Sequence, residues 1–463
     1  MGEHNRGHNV ERLAAWRETS LSETVWRLAP TRTRLDWSPE ICYFRATMPV
    51  HTPHDMATYA QEKTMAMSYD FISSDTHLEV LPERWTGRVP ATYRDSMPRT
   101  VPHPDGGDAI YIEGAPLFQV AYLDLRAGRT SEDWKPFDVR VEDTAGVGSA
   151  EQRLREQDQD GCAAEVLFPN MQAGPGLWRN IADNAAYLAT IRAYNDWLAQ
   201  DYCAVDPKRL IGLGVMPMAT LDDSLKELEH CAKLGFKGVV LSAFPNGMAY
   251  PLPEDDRFWA AAMDMQMPLT VHVAFNRTGK RAEQPTFRYP NENPDILRKV
   301  RRGLVDQMSI LGLPAATSFS QMIVSGVFDR FPALRIFFAE TRLGWVPFWM
   351  EEADFWYERH RHWAQRYLGF QPIKRQPSEY MKDHFLFSVQ GPEHVAIELR
   401  HHLGIEHIMF ATDFPHIECE WPHTRPDLER LTATLSAAEK YQLIAGNVID
   451  YFSLDADLLP HTA

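Results

Sequence analysis

The stretch Phe71-Ile72-Ser73-Ser74-Asp75-Thr76-His77 decides the fold. It reads as a short strand that closes on two metal-binding side chains, and residues two apart on a strand face the same way, so Asp75 and His77 can bind one ion. The same ending recurs later, where His272 closes Pro268 to His272 and Asp413 closes His407 to Asp413. Ligands so distant in sequence meet where parallel strands point their C-terminal ends at one site, which predicts an α/β protein built as a (β/α)8 TIM barrel. A metal-dependent enzyme is the expected product.

The rest of the chain keeps that rhythm. From Arg209 onward, short apolar runs alternate with longer amphipathic stretches, as repeated βα units do. Strands are predicted over Leu210 to Met218, Phe236 to Phe244, Pro268 to Phe275, Leu334 to Thr341, His384 to Gln390 and His407 to Phe414. With Phe71 to His77 and Ala163 to Pro169 they number eight, the count a closed barrel requires. Helices are predicted over Leu221 to Leu234 with Thr220 as cap, Glu254 to Met265, Trp345 to about Tyr367 and Glu393 to Leu403. Residues Pro294 to Phe328 read as helical with a break near Pro314.

Two regions leave the alternation. Residues 80–150 carry many prolines and glycines and few periodic apolar positions, so they read as a long insertion after the first strand, over the mouth of the active site. Residues 1–67 precede the barrel and include a helical stretch, Val10 to Leu28, whose Leu13, Trp16, Leu21, Val25 and Trp26 suggest an arm that packs on a neighbouring subunit or over the barrel. The barrel itself is expected over 68–455, with 456–463 as a tail.

Composition narrows the function. The formal net charge of −16 lends no electrostatic support to nucleic acid or to an anionic membrane surface as partner. Five scattered cysteines without a CxxC pair argue against a disulfide framework or a thiolate zinc knot and fit a reducing cytoplasm. No segment reaches the ~20 apolar residues of a membrane span, and the polar start carries no signal-like core. The expectation is a soluble, unsecreted protein, a homodimer or larger closed assembly.

Zinc, manganese and iron all accept imidazole and carboxylate, so Asp75, His77, His272 and Asp413 suit a divalent transition metal, as one ion or two. Asp413 can also accept a proton. Several motifs together resemble a known family, the amidohydrolase-related proteins typified by aminocarboxymuconate semialdehyde decarboxylase and the resorcylate decarboxylases. They are Asp75-Thr76-His77-Leu78-Glu79 with Trp85 and Pro90, Glu165-Val166-Leu167-Phe168-Pro169, the His272 strand, Glu340 with Gly344-Trp345-Val346-Pro347, and Thr412-Asp413-Phe414-Pro415-His416. The resemblance covers roughly Tyr69 to Leu454 and implies a distorted, metal-bearing barrel with Asp75, His77, His272 and Asp413 as ligands.

One position departs from the pattern. Where those decarboxylases place a catalytic histidine after the sixth strand, this chain has Phe338-Ala339-Glu340-Thr341. A carboxylate cannot act as a cationic acid, but it can be a base or hold a metal, so Glu340 reads as a catalytic residue, as a ligand to a second ion, or as a structural partner of Arg342. The fourth strand offers no bridging carboxylate, which leaves Glu79 or Glu165 as substitutes. His416 reads as a residue that orients substrate or a water, or as a helix cap. Trp85, Trp178 and Arg179 would line the channel or pack in the core; Arg84 and Arg88 would bind a substrate anion or be solvated.

The leading functional expectation is hydrolysis, in which a metal-activated water attacks the carbonyl of an amide, ester, lactone or thioester, with Asp413 taking the proton. The long insertion suggests a bulky carboxylic acid derivative, such as an acyl group on a carrier. The alternative is a lyase that removes a carboxyl group without oxidation; a non-catalytic binding barrel comes third.

Overall fold

Parallel strands buried on both faces need continuous apolar runs, and those runs form the barrel. In the computed structural model, residues 71–454 are described apart from 105, 113, 116, 120–124, 126, 131–139, 142–143, 172–173 and 276–312. The barrel strands are β1 Phe71–Leu78, β2 Cys162–Pro169, β3 Leu210–Gly212, β4 Gly214–Val215, β5 Val239–Leu241, β6 Leu269–His272, β7 Ile336–Ala339, β8 Phe385–Val389 and β9 Ile408–Phe410. Every residue in these segments is buried. They make a parallel three-stranded sheet, β1-β2-β3, and a parallel six-stranded sheet, β4-β5-β6-β7-β8-β9. This is a distorted TIM barrel with insertions.

Two seams join the sheets. At the first, the run read as one strand from Leu210 to Met218 breaks at Leu213 and changes partner: Leu213 N–H bonds the Leu167 carbonyl, whereas Gly214 N–H bonds that of Gly238. Glycine is needed on both sides of the break, since a Cβ at Gly212 would lie 2.8 Å from Cys203 Sγ and one at Gly214 2.6 Å from Cys231 Sγ. At the second seam, β1 meets the segment after β9. His77 N–H donates to Phe414 O at 2.8 Å, Asp413 N–H donates to Asp75 O at 3.0 Å, and Thr412 N–H donates to Ser73 Oγ at 2.9 Å.

Helices cover the outside. The helix Leu221–Leu234 starts on Thr220, whose hydroxyl accepts from Asp223 N–H as expected of a cap, and stops at Gly235 in the left-handed region. Phe319, on the helix Leu313–Val324, packs edge-on against Phe338, Phe385 and Phe387 at 5.0–5.7 Å. Full burial of such a ring contributes about 2–3 kcal/mol. The region read as helical from Glu393 to Leu403 is instead a short helix, His394–Glu398, followed by the turn Arg400–His402. Within the insertion, the described residues include a small antiparallel sheet of Arg99–Pro102, Asp108–Tyr111 and Phe118–Gln119. The expected arm over 1–67, the tail over 456–463 and the start of the Pro294 to Phe328 stretch lie outside the described residues. Among the described residues no helix is long and apolar enough to cross a membrane.

Candidate metal centre at the strand ends

Several strands end sooner than the apolar runs suggest, because the chain turns through the left-handed region. Val273 (φ 61°) follows His272, Glu340 (φ 54°) follows Ala339, Arg342 has φ 57° and Asp413 φ 58°. Four of the six non-glycine residues with positive φ among the described ones therefore sit at this rim. Such conformations are costly for residues with a Cβ, and for β-branched Val273 above all, and they cluster where side chains must be aimed. A bulge in β1 does similar work. Ser73 pairs with Glu165 and Thr76 with Leu167, so one extra residue stands at Ser74–Asp75.

The result brings all the predicted ligands together. His77 Nε2 lies 3.1 Å from His272 Nε2, 3.2 Å from Asp413 Oδ1 and 3.6 Å from Asp75 Oδ1. His272 Nε2 lies 4.0 Å from Asp75 Oδ2 and 3.1 Å from Glu340 Oε2. Asp75, His77 and His272 form one group able to hold an ion, and His77, Glu340 and Asp413 form another. Donor atoms that share an ion at about 2.0–2.2 Å stand roughly 3 Å apart, which is the spacing seen here.

Hydrogen bonding shows why these atoms want a cation. His77 Nδ1 faces the Pro169 carbonyl at 3.2 Å, and since a carbonyl only accepts, Nδ1 carries the proton. In the neutral ring, Nε2 is then a bare lone pair turned toward two carboxylates and a second imidazole. That arrangement is repulsive unless a positive charge sits among them, and an imidazole anchored through its other nitrogen to a carbonyl is the usual posture of a metal ligand. Both oxygens of Asp75 and of Asp413 are buried and accept no well-formed hydrogen bond among the described residues. Burial, then the negative charges of Asp413 and Glu340, raises the Asp75 carboxyl well above its ordinary range. The donor set fits a divalent metal.

His416 borders this group. Its ring stacks on His77 at 4.0 Å, with Nδ1 3.3 Å from Asp413 Oδ1 and Nε2 2.9 Å from Glu79 Oε1. Burial alone would lower its pKa, but the Asp413 and Glu79 carboxylates outweigh burial and hold it well above the ordinary histidine value. Burial likewise works to raise the Asp413 carboxyl, and the His416 charge prevails and holds it well below the usual range. Arg342 reaches Gln390 and Glu418, the latter at 3.3 Å, and the Glu340 charge acts on it as well. Burial, with Asp413 and Glu340 nearby, pushes Glu418 up to about 8.

Other expected residues take different places. Glu165 is no bridging ligand: its Oε2 accepts from Arg153 Nε at 2.6 Å and from Gln157 at 2.8 Å, all buried. Glu79 faces His416 and Asn170 and belongs to the rim of the centre. Trp85 and Trp178 pack against each other at 5.0 Å and against Tyr194, and these rings line a small cavity that Glu79 and Asn170 also border. Arg179 lies over the Tyr187 ring. Arg88 is held on the surface by Asp201 and Gln200. Sequence reasoning missed Arg153, whose guanidinium donates to the carbonyls of His77, Gly146 and Phe414 and so ties the ends of both ligand-bearing segments together. No signal marked it, because an arginine on an otherwise polar helix looks solvated.

Known proteins share this frame. A family model described as amidohydrolase matches residues 75–453. A gamma-resorcylate decarboxylase of Polaromonas sp. (strain JS666 / ATCC BAA-500) is 26% identical over 333 residues, covering 70% of this chain and 92% of that protein. Among solved structures, an amidohydrolase from Mycobacterium avium subsp. paratuberculosis K-10 superposes with a TM-score of 0.63 at 16% identity, over 84% of this chain and all of its own. A 5-carboxyvanillate decarboxylase from Novosphingobium aromaticivorans DSM 12444, complexed with manganese and 4-hydroxy-3-methoxy-5-nitrobenzoic acid, gives 0.57 at 19% identity, over 83% of this chain and 96% of its own.

Proposed function

Since the chain belongs to the amidohydrolase family, we propose that it is a metal-dependent lyase that removes CO2 without oxidation from an aromatic or unsaturated carboxylic acid. The observation that carries this reading is the convergence of Asp75, His77, His272 and Asp413 at the mouth of a barrel that aligns with almost the whole of a resorcylate decarboxylase. These four side chains would hold the ion, and zinc, manganese and iron(II) all suit their nitrogen and oxygen donors. Bound there, a divalent ion supplies positive charge that offsets the carboxylates and draws an anionic substrate to the strand ends.

The chain's own residues supply the rest. Phe168, its ring 5.5 Å from that of His272 and 6.1 Å from that of His77, gives the centre an apolar wall that keeps water away. In the reaction the bond between the substrate carbon and its carboxylate breaks, the electron pair stays on that carbon, and CO2 leaves. The carbon then takes one proton. His416 stores a proton at Nδ1, and Asp413 beside it, a carboxyl held far below the usual range, passes a proton on rather than keeping it.

A second reading, hydrolysis of an ester or thioester, is favoured by Glu340. A carboxylate at that point, within ligand distance of His77 and Asp413, suits a base that takes a proton from water, or a ligand to a second ion, better than it suits an acid. Purified protein should first be analysed for metal, one ion or two, and then offered hydroxybenzoates and a panel of esters and thioesters. CO2 release, lost in His416→Gln at unchanged metal content, supports the lyase with His416 as the source of its proton. Turnover of esters with no detectable CO2 rejects it.

A further inference from the structure

Just past its two metal-facing side chains, β1 delivers a third group to the centre. Glu79 follows His77 by two residues, and its carboxylate comes within reach of both the His77 and His416 rings. It is buried, and both of its oxygens are engaged. Oε1 faces His416 Nε2 at 2.9 Å, and Oε2 accepts from the Asn170 amide. Asn170 is the first residue after β2, so the ends of two neighbouring strands and the turn after β9 meet on this one carboxylate. Glu79 and Asn170 also border a cavity of about 30 Å3, walled by Trp85, Trp178 and Tyr194, with room for about two waters. Aromatic walls keep the surroundings of Glu79 mostly dry, and a hydrogen bond to a carboxylate is strong in such a setting.

A carboxylate only accepts, so His416 Nε2 keeps its proton on Glu79 whether the ring is neutral or charged. The other nitrogen, Nδ1, stands 3.3 Å from Asp413 Oδ1 and is then the one place where the ring takes or releases a proton. Stacking on His77, with centroids 4.0 Å apart and planes at 20°, fixes the plane of the ring but not which edge faces Asp413. Without the bond to Glu79 the ring can turn over about its Cβ–Cγ axis, which puts a carbon where Nδ1 stands. We propose that Glu79, clamped by Asn170, is a positioning residue that acts through His416 and holds its Nδ1 edge against Asp413. This rests on the reading of His416 as the proton source of a lyase. When the Nδ1 proton leaves for Asp413, the electron pair of that N–H bond stays on Nδ1. The ring is left neutral, its Nε2 proton still on Glu79, and a proton from solvent restores it. Three strand ends must therefore be aligned before His416 can serve the centre.

Zinc-loaded full chain carrying 15N-labelled histidine reports the ring directly, with the His416 signals assigned by their loss in His416→Gln. A slowly exchanging Nε2 proton is expected in the parent and in Glu79→Gln, whose amide oxygen still accepts once the Asn170 amide turns over, and none in Glu79→Ala. For whichever acid releases CO2, kcat should fall about 10–100-fold in Glu79→Ala at unchanged KM, and Glu79→Gln should recover most of that loss. An Nε2 proton that persists in Glu79→Ala overturns the proposal, as does a loss of kcat that glutamine leaves unrepaired. So does a metal content that drops by one ion in Glu79→Ala, because His77, Glu79 and His416 lie close enough to share an ion and Glu79 would then be a ligand. If no acid releases CO2, the lyase reading fails, while the ring signal still decides whether Glu79 orients His416.

Discussion

Replacing Asp75 by asparagine should have opposite effects with and without metal. In metal-free protein the Asp75 carboxyl is wholly buried, accepts no well-formed hydrogen bond among the described residues and faces Asp413 and Glu340, so its charge opposes folding. An unsatisfied buried polar group costs about 1–3 kcal/mol, and an amide keeps only the uncharged part of that cost. The chelated variant should therefore equal or exceed the parent by about 1 kcal/mol at neutral pH. The sign follows from the raised pKa. A carboxyl whose folded value stands above its unfolded value adds stability at low pH, which is lost as pH climbs from the unfolded value through the folded one. That loss should be seen in the parent and be absent from the variant. With metal the order reverses. An ion at a thousandfold excess over its Kd stabilises by about 4 kcal/mol. At about 2.1 cal/mol/K per residue, the unit Met67–Ala463 has an unfolding entropy near 0.8 kcal/mol/K, so the parent's Tm should rise by about 5 °C and the variant's hardly at all. Scanning calorimetry of the two proteins in chelator and in manganese or zinc measures all four values. An undiminished shift in Asp75→Asn would refute the ligand assignment, and no shift in the parent would refute the metal centre.

Other changes test the supports of the centre. Arg153→Met leaves the Glu165 carboxylate buried and unpaired and should cost about 3–5 kcal/mol in denaturant unfolding, with Arg153→Met/Glu165→Gln recovering part of the loss. Gly146→Ala puts a Cβ 2.5 Å from that of Pro415 at a φ of +84°, so a lower Tm is expected, and a Tm within 1 °C or so of the parent would show that the contact relaxes freely. His384 and His407 are held below their ordinary value, first of all by burial. Their lowered folded pKa means that stability is whole above the unfolded value of about 6.5 and falls as pH drops below it, a slope that His384→Gln should reduce in urea titrations at pH 5 to 7.

The fold was legible because its signals are local. An apolar run ending in Asp75-Thr76-His77, or in His272, announces both a strand and what stands at its end. The lengths were less legible: Val273, Glu340 and Asp413 turn the chain out of the ladder, and nothing in a valine or a glutamate signals a positive φ. The residues that converge at the strand ends could be read, since their types are scarce there, but the Arg153–Glu165 pair could not. Glu165 looked like a spare carboxylate for metal, and only the long-range approach of the helix Ala150–Asp160 shows that its charge is already spent.

The two seams also distribute the residues proposed to hold the ion. Asp75 and His77 belong to the three-stranded sheet, whereas His272 is on the six-stranded one and Glu340 and Asp413 follow its strands. An ion shared among them would work as a rivet across the join, loading the short span where His77 and Asp413 exchange backbone bonds with the opposite sheet. Withdrawal of metal should then be felt first as unzipping at that join. Amide exchange at His77 and Asp413 would quicken while the interior of each sheet stays slow, so the barrel would open like a split ring before it melts.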